Sequence, residues 1–172
     1  MSESGIKTIG LTEFYEADGR SFKRKKGTKE WIEVGRPTIF EPQLCLSLVR
    51  QNQADGEPTH WSLHIAREGE PGNVYQVKGD AECMRYIPPN RTVDIKESGS
   101  FKDIFELDTL TESQVRIVEE VAENEPPPRA EDRHSVTENC QGWTVRVIVK
   151  LVERGIVSNT KLEMVRTMVE PL

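Results

Sequence analysis

Two short words in this chain combine residue types that can do covalent chemistry. Pro58-Thr59-His60-Trp61-Ser62-Leu63-His64-Ile65 opens an alternating apolar run, and Asn139-Cys140-Gln141-Gly142-Trp143 opens an apolar run of helical period. A histidine at the edge of an extended segment can act as a base. A cysteine in the first turn of a helix meets unpaired backbone N–H groups and the positive end of the helix dipole. That setting favours a thiolate, and it also favours the oxyanion formed when a thiolate attacks a carbonyl. The expected chemistry is nucleophilic catalysis by Cys140 with His60 as general base, passing through a covalent acyl-enzyme.

A third polar group should orient the imidazole. Gln76, at the centre of the next extended segment Val74-Tyr75-Gln76-Val77, is the best candidate, with Asn73 and Asp80 behind it. A glutamine oxygen can accept from an imidazole N–H but stabilises imidazolium less than a carboxylate does. Gln141 could add a side-chain donor to the oxyanion pocket, and Trp61 flanks the base on the substrate side. The plainer readings are a solvent-facing Gln141, a core Trp61, and a Cys140 that is core packing, because free cysteine is among the most buried residue types. His64 falls on the strand face opposite Trp61 and reads as solvated, and His134 reads as an exposed loop residue.

The elements that must hold these groups follow from periodicity. Leucines 44, 46 and 48 alternate across residues 43–50, residues 61–67 alternate again, and residues 74–78 close an antiparallel hairpin. Residues 92–96 and 101–107 read as two more strands. Thr111-Glu112-Ser113-Gln114 has the form of a capping box ahead of Val115, Val118, Val121 and Ala122. Pro126-Pro127-Pro128 ends that helix. A second helix runs over 139–154 with Gly155 as its stop, and Asn159 or Thr160 caps a third. Residues 1–36 are polar, carry the basic run Lys23 to Lys29, and read as a partly flexible arm. Residues 37–172 form one domain. The expected fold is α+β: an antiparallel sheet of about five strands with C-terminal helices packed on it. Loops at 37–43, 68–73 and 125–138 would shape the pocket.

The chain has 172 residues and a net charge of −6, which suits one folded domain and argues against a general nucleic-acid binder. No apolar run is long enough to span a bilayer, and the first residues show no secretory signal. Three cysteines, none in a Cys-x-x-Cys pair, argue against a disulfide framework and for a reducing, cytoplasmic location. A nuclear signal in the basic run is the other reading. Three histidines without metal spacing, and no Gly-rich phosphate loop, lead us to expect neither metal nor cofactor. The expected partner is a small-molecule or peptide substrate, and oligomeric state is not legible.

His-Trp-x-x-x-Ile on a strand, followed by Asn-Cys-Gln-x-Trp on a helix, resembles the circularly permuted papain-like thiol enzymes. These include the lecithin:retinol acyltransferase family with its phospholipase/acyltransferase relatives, and the PPPDE-type peptidases. In that group the histidine precedes the cysteine, as His60 precedes Cys140. The resemblance covers about residues 42–156 and implies a permuted papain-like fold, with Cys140 as nucleophile, His60 as base and Gln76 in the third catalytic position. It implies protease, amidase, deubiquitinase or acyl-transfer chemistry on an amide, ester or thioester. The membrane-anchoring apolar tail of the acyltransferases has no counterpart here. The alternative, of a different class, is a non-catalytic binding module on the same scaffold.

Overall fold

The computed structural model describes residues 6–9, 11–17, 20–34 and 43–172. The chain divides into two compact units, Met1–Glu41 and Pro42–Leu172.

The first unit departs from the expected arm. It is a four-stranded antiparallel sheet in the order β1-β2-β3-β4, made of β1 (Lys7–Ile9), β2 (Thr12–Ala17), β3 (Arg20–Lys25) and β4 (Ile32–Glu33). The basic run lies on β3 and the turn after it. Gly27 holds a φ of 88° there, a left-handed conformation that side chains disfavour. Arg24 is ion-paired with Glu13 at 2.5 Å and stacks over Trp31 at 4.3 Å, so part of the run is engaged within its own sheet. The expected boundary at residue 36 and the loop at 37–42 lie outside the described residues.

The second unit is an antiparallel five-stranded sheet with three helices after it. Its strands are β5 (Leu44–Gln51), β6 (His60–Arg67), β7 (Asn73–Lys78), β8 (Arg85–Ile87) and β9 (Phe101–Leu110), in the order β8-β7-β6-β5-β9. Residues 92–96, expected as a strand, are not one. Val93 makes a single bridge to Gly72, and Ile95–Glu97 is a 3-10 turn capped by the Asp94 side chain. The side-chain-to-backbone bond of an aspartate competes with ladder pairing there.

β6 is the central strand, and both its faces are covered. Trp61, Leu63 and Ile65 pack with the helices, while Ser62 and His64 are buried on the other side, where Val49, Val74 and Ile95 cluster. His64 is therefore not solvated as the alternation suggested. Loop residues 93–97 cover the face that a simple hairpin would leave wet.

Helix α1 (Glu112–Asn124) begins at the expected capping box, with Thr111 and Gln114 bonded reciprocally. Helix α2 (Cys140–Glu153) is capped by Asn139, whose side chain accepts from the Gln141 N–H at 2.9 Å. It stops at Gly155, where φ is +70° and the amides of Gly155 and Ile156 bond back to Val152 and Leu151. Helix α3 (Asn159–Arg166) is capped by Ser158. The core of this unit joins Leu46, Leu48, Trp61, Leu63, Tyr75 and Val77 of the sheet to Val118, Trp143, Val147, Ile148 and Leu151 of the helices. Burying a side chain of this size contributes roughly 1.5–3 kcal/mol, so α2 is pinned to β6 along its whole apolar stripe.

Candidate active site

His60 is the first residue of β6, and Cys140 the first of α2. Both line one cavity of about 790 Å³ together with Gln51, Lys78, Asp80, Ser100 and Asn139. Of the loops expected to shape it, 125–138 contributes Arg133 and Val136. The turn at 68–73 sits at the far end of β6 from His60, because Ile65 is its partner to Asn73. For the same reason Asn73 is no candidate to orient His60. Asp80 lies on the cavity wall and faces Arg133 at 3.5 Å.

His60 Nε2 is 2.9 Å from Gln76 Oε1. The glutamine oxygen only accepts, so Nε2 carries the ring proton and Nδ1 keeps its lone pair. Burial lowers the imidazole pKa, the Gln76 bond raises it in part, and Lys78 lowers it further. The net shift is downward, so the ring is a neutral base at pH 7.

Cys140 is 3% exposed. Burial pushes its thiol pKa up. The backbone N–H groups of Trp61, Gln141 and Cys140 itself act against that rise, and the Glu170 carboxylate adds to it. The peptide joining His60 to Trp61 therefore lies against the sulfur. Two expectations are corrected here. The resting group is the thiol rather than a thiolate, because desolvation outweighs the amides. Among the described residues, no hydrogen bond joins the His60 ring to the sulfur; the ring's hydrogen bond runs to Gln76.

Gln141 is neither solvent-facing nor free to bind an oxyanion. It is fully buried, and its Nε2 donates to Thr59 O and to Glu170 Oε2, each at 2.8 Å. Both amide protons are committed. Its Oε1 accepts from the Glu170 N–H at 2.8 Å. Trp61 is also fully buried, with its indole N–H bonded to Thr59 Oγ1 at 3.1 Å, so only its backbone reaches the site. The groups left for an oxyanion are backbone ones. The Cys140 N–H is the foremost, since as the first amide of α2 it has no acceptor within the helix.

The segment leading to Cys140 is clamped by Arg146 of α2. Its guanidinium bonds Glu125 at 2.5 Å, the Pro126 carbonyl at 2.6 Å, and Glu138. Lys150 adds a second cation to the buried Glu125 at 2.6 Å. Gly142 lies beside this clamp, and a Cβ there would stand 2.6 Å from Glu138 Oε2, so a larger residue would have to displace the Glu138 side chain. Thr59, Arg146 and Glu170 were missed as site residues. Thr59 sits beside His60 in the word already singled out, but nothing in periodicity marks Glu170. His134 is exposed in a 3-10 turn, as expected.

The arrangement defines an α+β domain in which a cysteine at a helix start shares a cavity with a histidine whose ring is hydrogen-bonded to a glutamine. Residues 46–158 match the model of a family of unknown function, DUF6540, and the chain belongs to it. No curated protein and no solved structure matches the chain. Among the described residues no helix is long and apolar enough to cross a membrane, and no group of three His, Cys, Asp or Glu side chains could hold a metal.

Proposed function

We propose that this protein is a cysteine-dependent hydrolase or acyl transferase of permuted papain-like fold, acting on an amide, ester or thioester. The observation that carries the reading is that an oriented, neutral imidazole and a thiol flanked by backbone N–H groups open onto one cavity. In the mechanism, substrate enters the cavity and brings its carbonyl carbon to the sulfur. The Sγ–H proton passes to His60 Nδ1 as the S–C bond forms, and the carbonyl π pair becomes an oxyanion facing the Cys140 N–H. Collapse expels the leaving group, which takes the proton from the imidazolium. Water or an amine then attacks the thioester, with His60 as base, and the thiol is regenerated. Gln76 keeps the ring in the Nε2–H tautomer throughout.

The test is a burst assay with p-nitrophenyl acetate. One equivalent of p-nitrophenol per protein, with an acetyl mass on Cys140, is expected, and Cys140→Ser should abolish both. A burst that survives Cys140→Ser rules the mechanism out.

The alternative of a non-catalytic binding module draws on one observation, the burial that keeps Cys140 protonated. It requires Cys140→Ser to leave every cellular activity of the protein intact.

A further inference from the structure

The two words that carry the site are joined by a residue outside both. Glu170 lies beyond α3, and its Oε2 accepts from the Thr59 N–H at 2.9 Å, from the Thr59 hydroxyl, and from Gln141 Nε2 at 2.8 Å. Its own backbone N–H donates to Gln141 Oε1 at 2.8 Å. Thr59 precedes His60, and Gln141 follows Cys140. We propose that Glu170 is the positioning residue of this site, a two-sided clamp that fixes the start of the base-bearing strand against the start of the thiol-bearing helix. The inference rests on the thiol-enzyme reading for its catalytic meaning.

Three features make the clamp more than packing. Its bonds to the carboxylate are charge-assisted, the strong class. Gln141 spends both its donors on Thr59 and Glu170 and accepts from the Glu170 N–H, so neither amide proton is left to hold the helix start by another route. The carboxylate is also held ionised: the Thr59 hydroxyl and N–H, Gln141 and Lys102 lower its pKa against an opposing effect of burial. Arg50 and Asp103 are the other charged groups that feel it. A negative charge is thereby fixed near the sulfur, where it favours the protonated thiol. The clamp sets the geometry, and its charge adds a smaller push in the same direction as the burial that keeps Cys140 protonated.

The experiment uses full-length protein carrying Cys45→Ser and Cys83→Ser, so that Cys140 is the sole thiol. Its alkylation by iodoacetamide is followed against pH, with and without Glu170→Gln. That substitution removes the charge and, with its amide oxygen in the place of Oε2, turns the three charge-assisted bonds into neutral ones. The expected result is a melting temperature lower by about 5–10 °C together with an alkylation midpoint moved to lower pH. A purely structural tie would lower the melting temperature and leave the midpoint in place, and that result overturns the proposal.

Should the variant fail to fold, hydrogen exchange on the unsubstituted protein decides. Protected Thr59 and Glu170 amides support the clamp, and rapid exchange at both overturns it. Failure of the thiol-enzyme reading would appear separately, as the loss of any burst at Cys140, with the midpoint shift still measurable.

Discussion

Replacing Gln141 distinguishes a structural tie from a catalytic donor. Gln141→Met keeps the length of the side chain and removes all of its polar atoms. Two neutral hydrogen bonds are lost, to the Thr59 carbonyl and from the Glu170 N–H, along with one charge-assisted bond to the Glu170 carboxylate. At about 1 kcal/mol for each neutral bond and about 1.5–3 for the charged one, the loss is roughly 3–5 kcal/mol. The more apolar side chain offsets about 1 kcal/mol of that. A net cost of about 2–4 kcal/mol should lower the melting temperature by roughly 4–16 °C in a domain of this size.

Gln141→Glu has the same shape but sets a second carboxylate against Glu170. Repulsion and burial would raise the pKa of the introduced carboxyl above its unfolded value. A raised acid binds more protons in the folded state, so the penalty grows as pH rises through that pKa and shrinks below it. Urea melts of the three proteins at pH 5 and pH 8 read both effects. A Gln141→Met protein within about 1 kcal/mol of the parent would refute the tie and return Gln141 to the list of possible oxyanion donors.

Burial holds both His60 and His64 below the ordinary imidazole range, so the folded protein binds fewer protons than the unfolded chain. Stability should therefore fall as pH drops through about 6.5 toward the folded values, and His64→Asn should flatten that fall; a melting temperature level between pH 7 and 5 contradicts this. Gly142→Ala should lower the melting temperature despite a helix-propensity gain of about 1 kcal/mol, because the new Cβ would stand 2.6 Å from Glu138 Oε2 and 2.9 Å from Glu138 Cβ. A higher melting temperature would show that Glu138 yields freely. Gln76→Leu removes the contribution that raises the His60 pKa, so the ring should titrate at lower pH by NMR; an unmoved midpoint would deny the Gln76 bond any hold on the imidazole.

Local signals exposed much of this fold. The leucine alternation of β5, the capping box of α1 and the Gly155 stop of α2 are short-range devices, each legible within a few residues. The pairing of His60 with Gln76 was legible too, because a polar residue in the middle of a buried hairpin strand has few other partners. What depends on distant chain was not. His64 alternates like a solvated residue, and only the 93–97 turn, placed by a long connection, covers it. Gln141 follows a cysteine on the apolar stripe, and its burial makes sense only once Glu170 supplies a partner. The strands of the first unit are short and dense in charge, so neither hydropathy nor period separates them from a polar arm.

The central claim is that His60 draws the proton from Cys140 during acylation. With Cys140 as the only thiol, the acetylation rate by p-nitrophenyl acetate should be measured against pH in the parent and in His60→Ala. The account predicts a rate that rises through the low titration of a buried imidazole and falls at least about 100-fold at neutral pH without the ring. A rate indifferent to His60, rising only where a buried thiol ionises by itself, would contradict it.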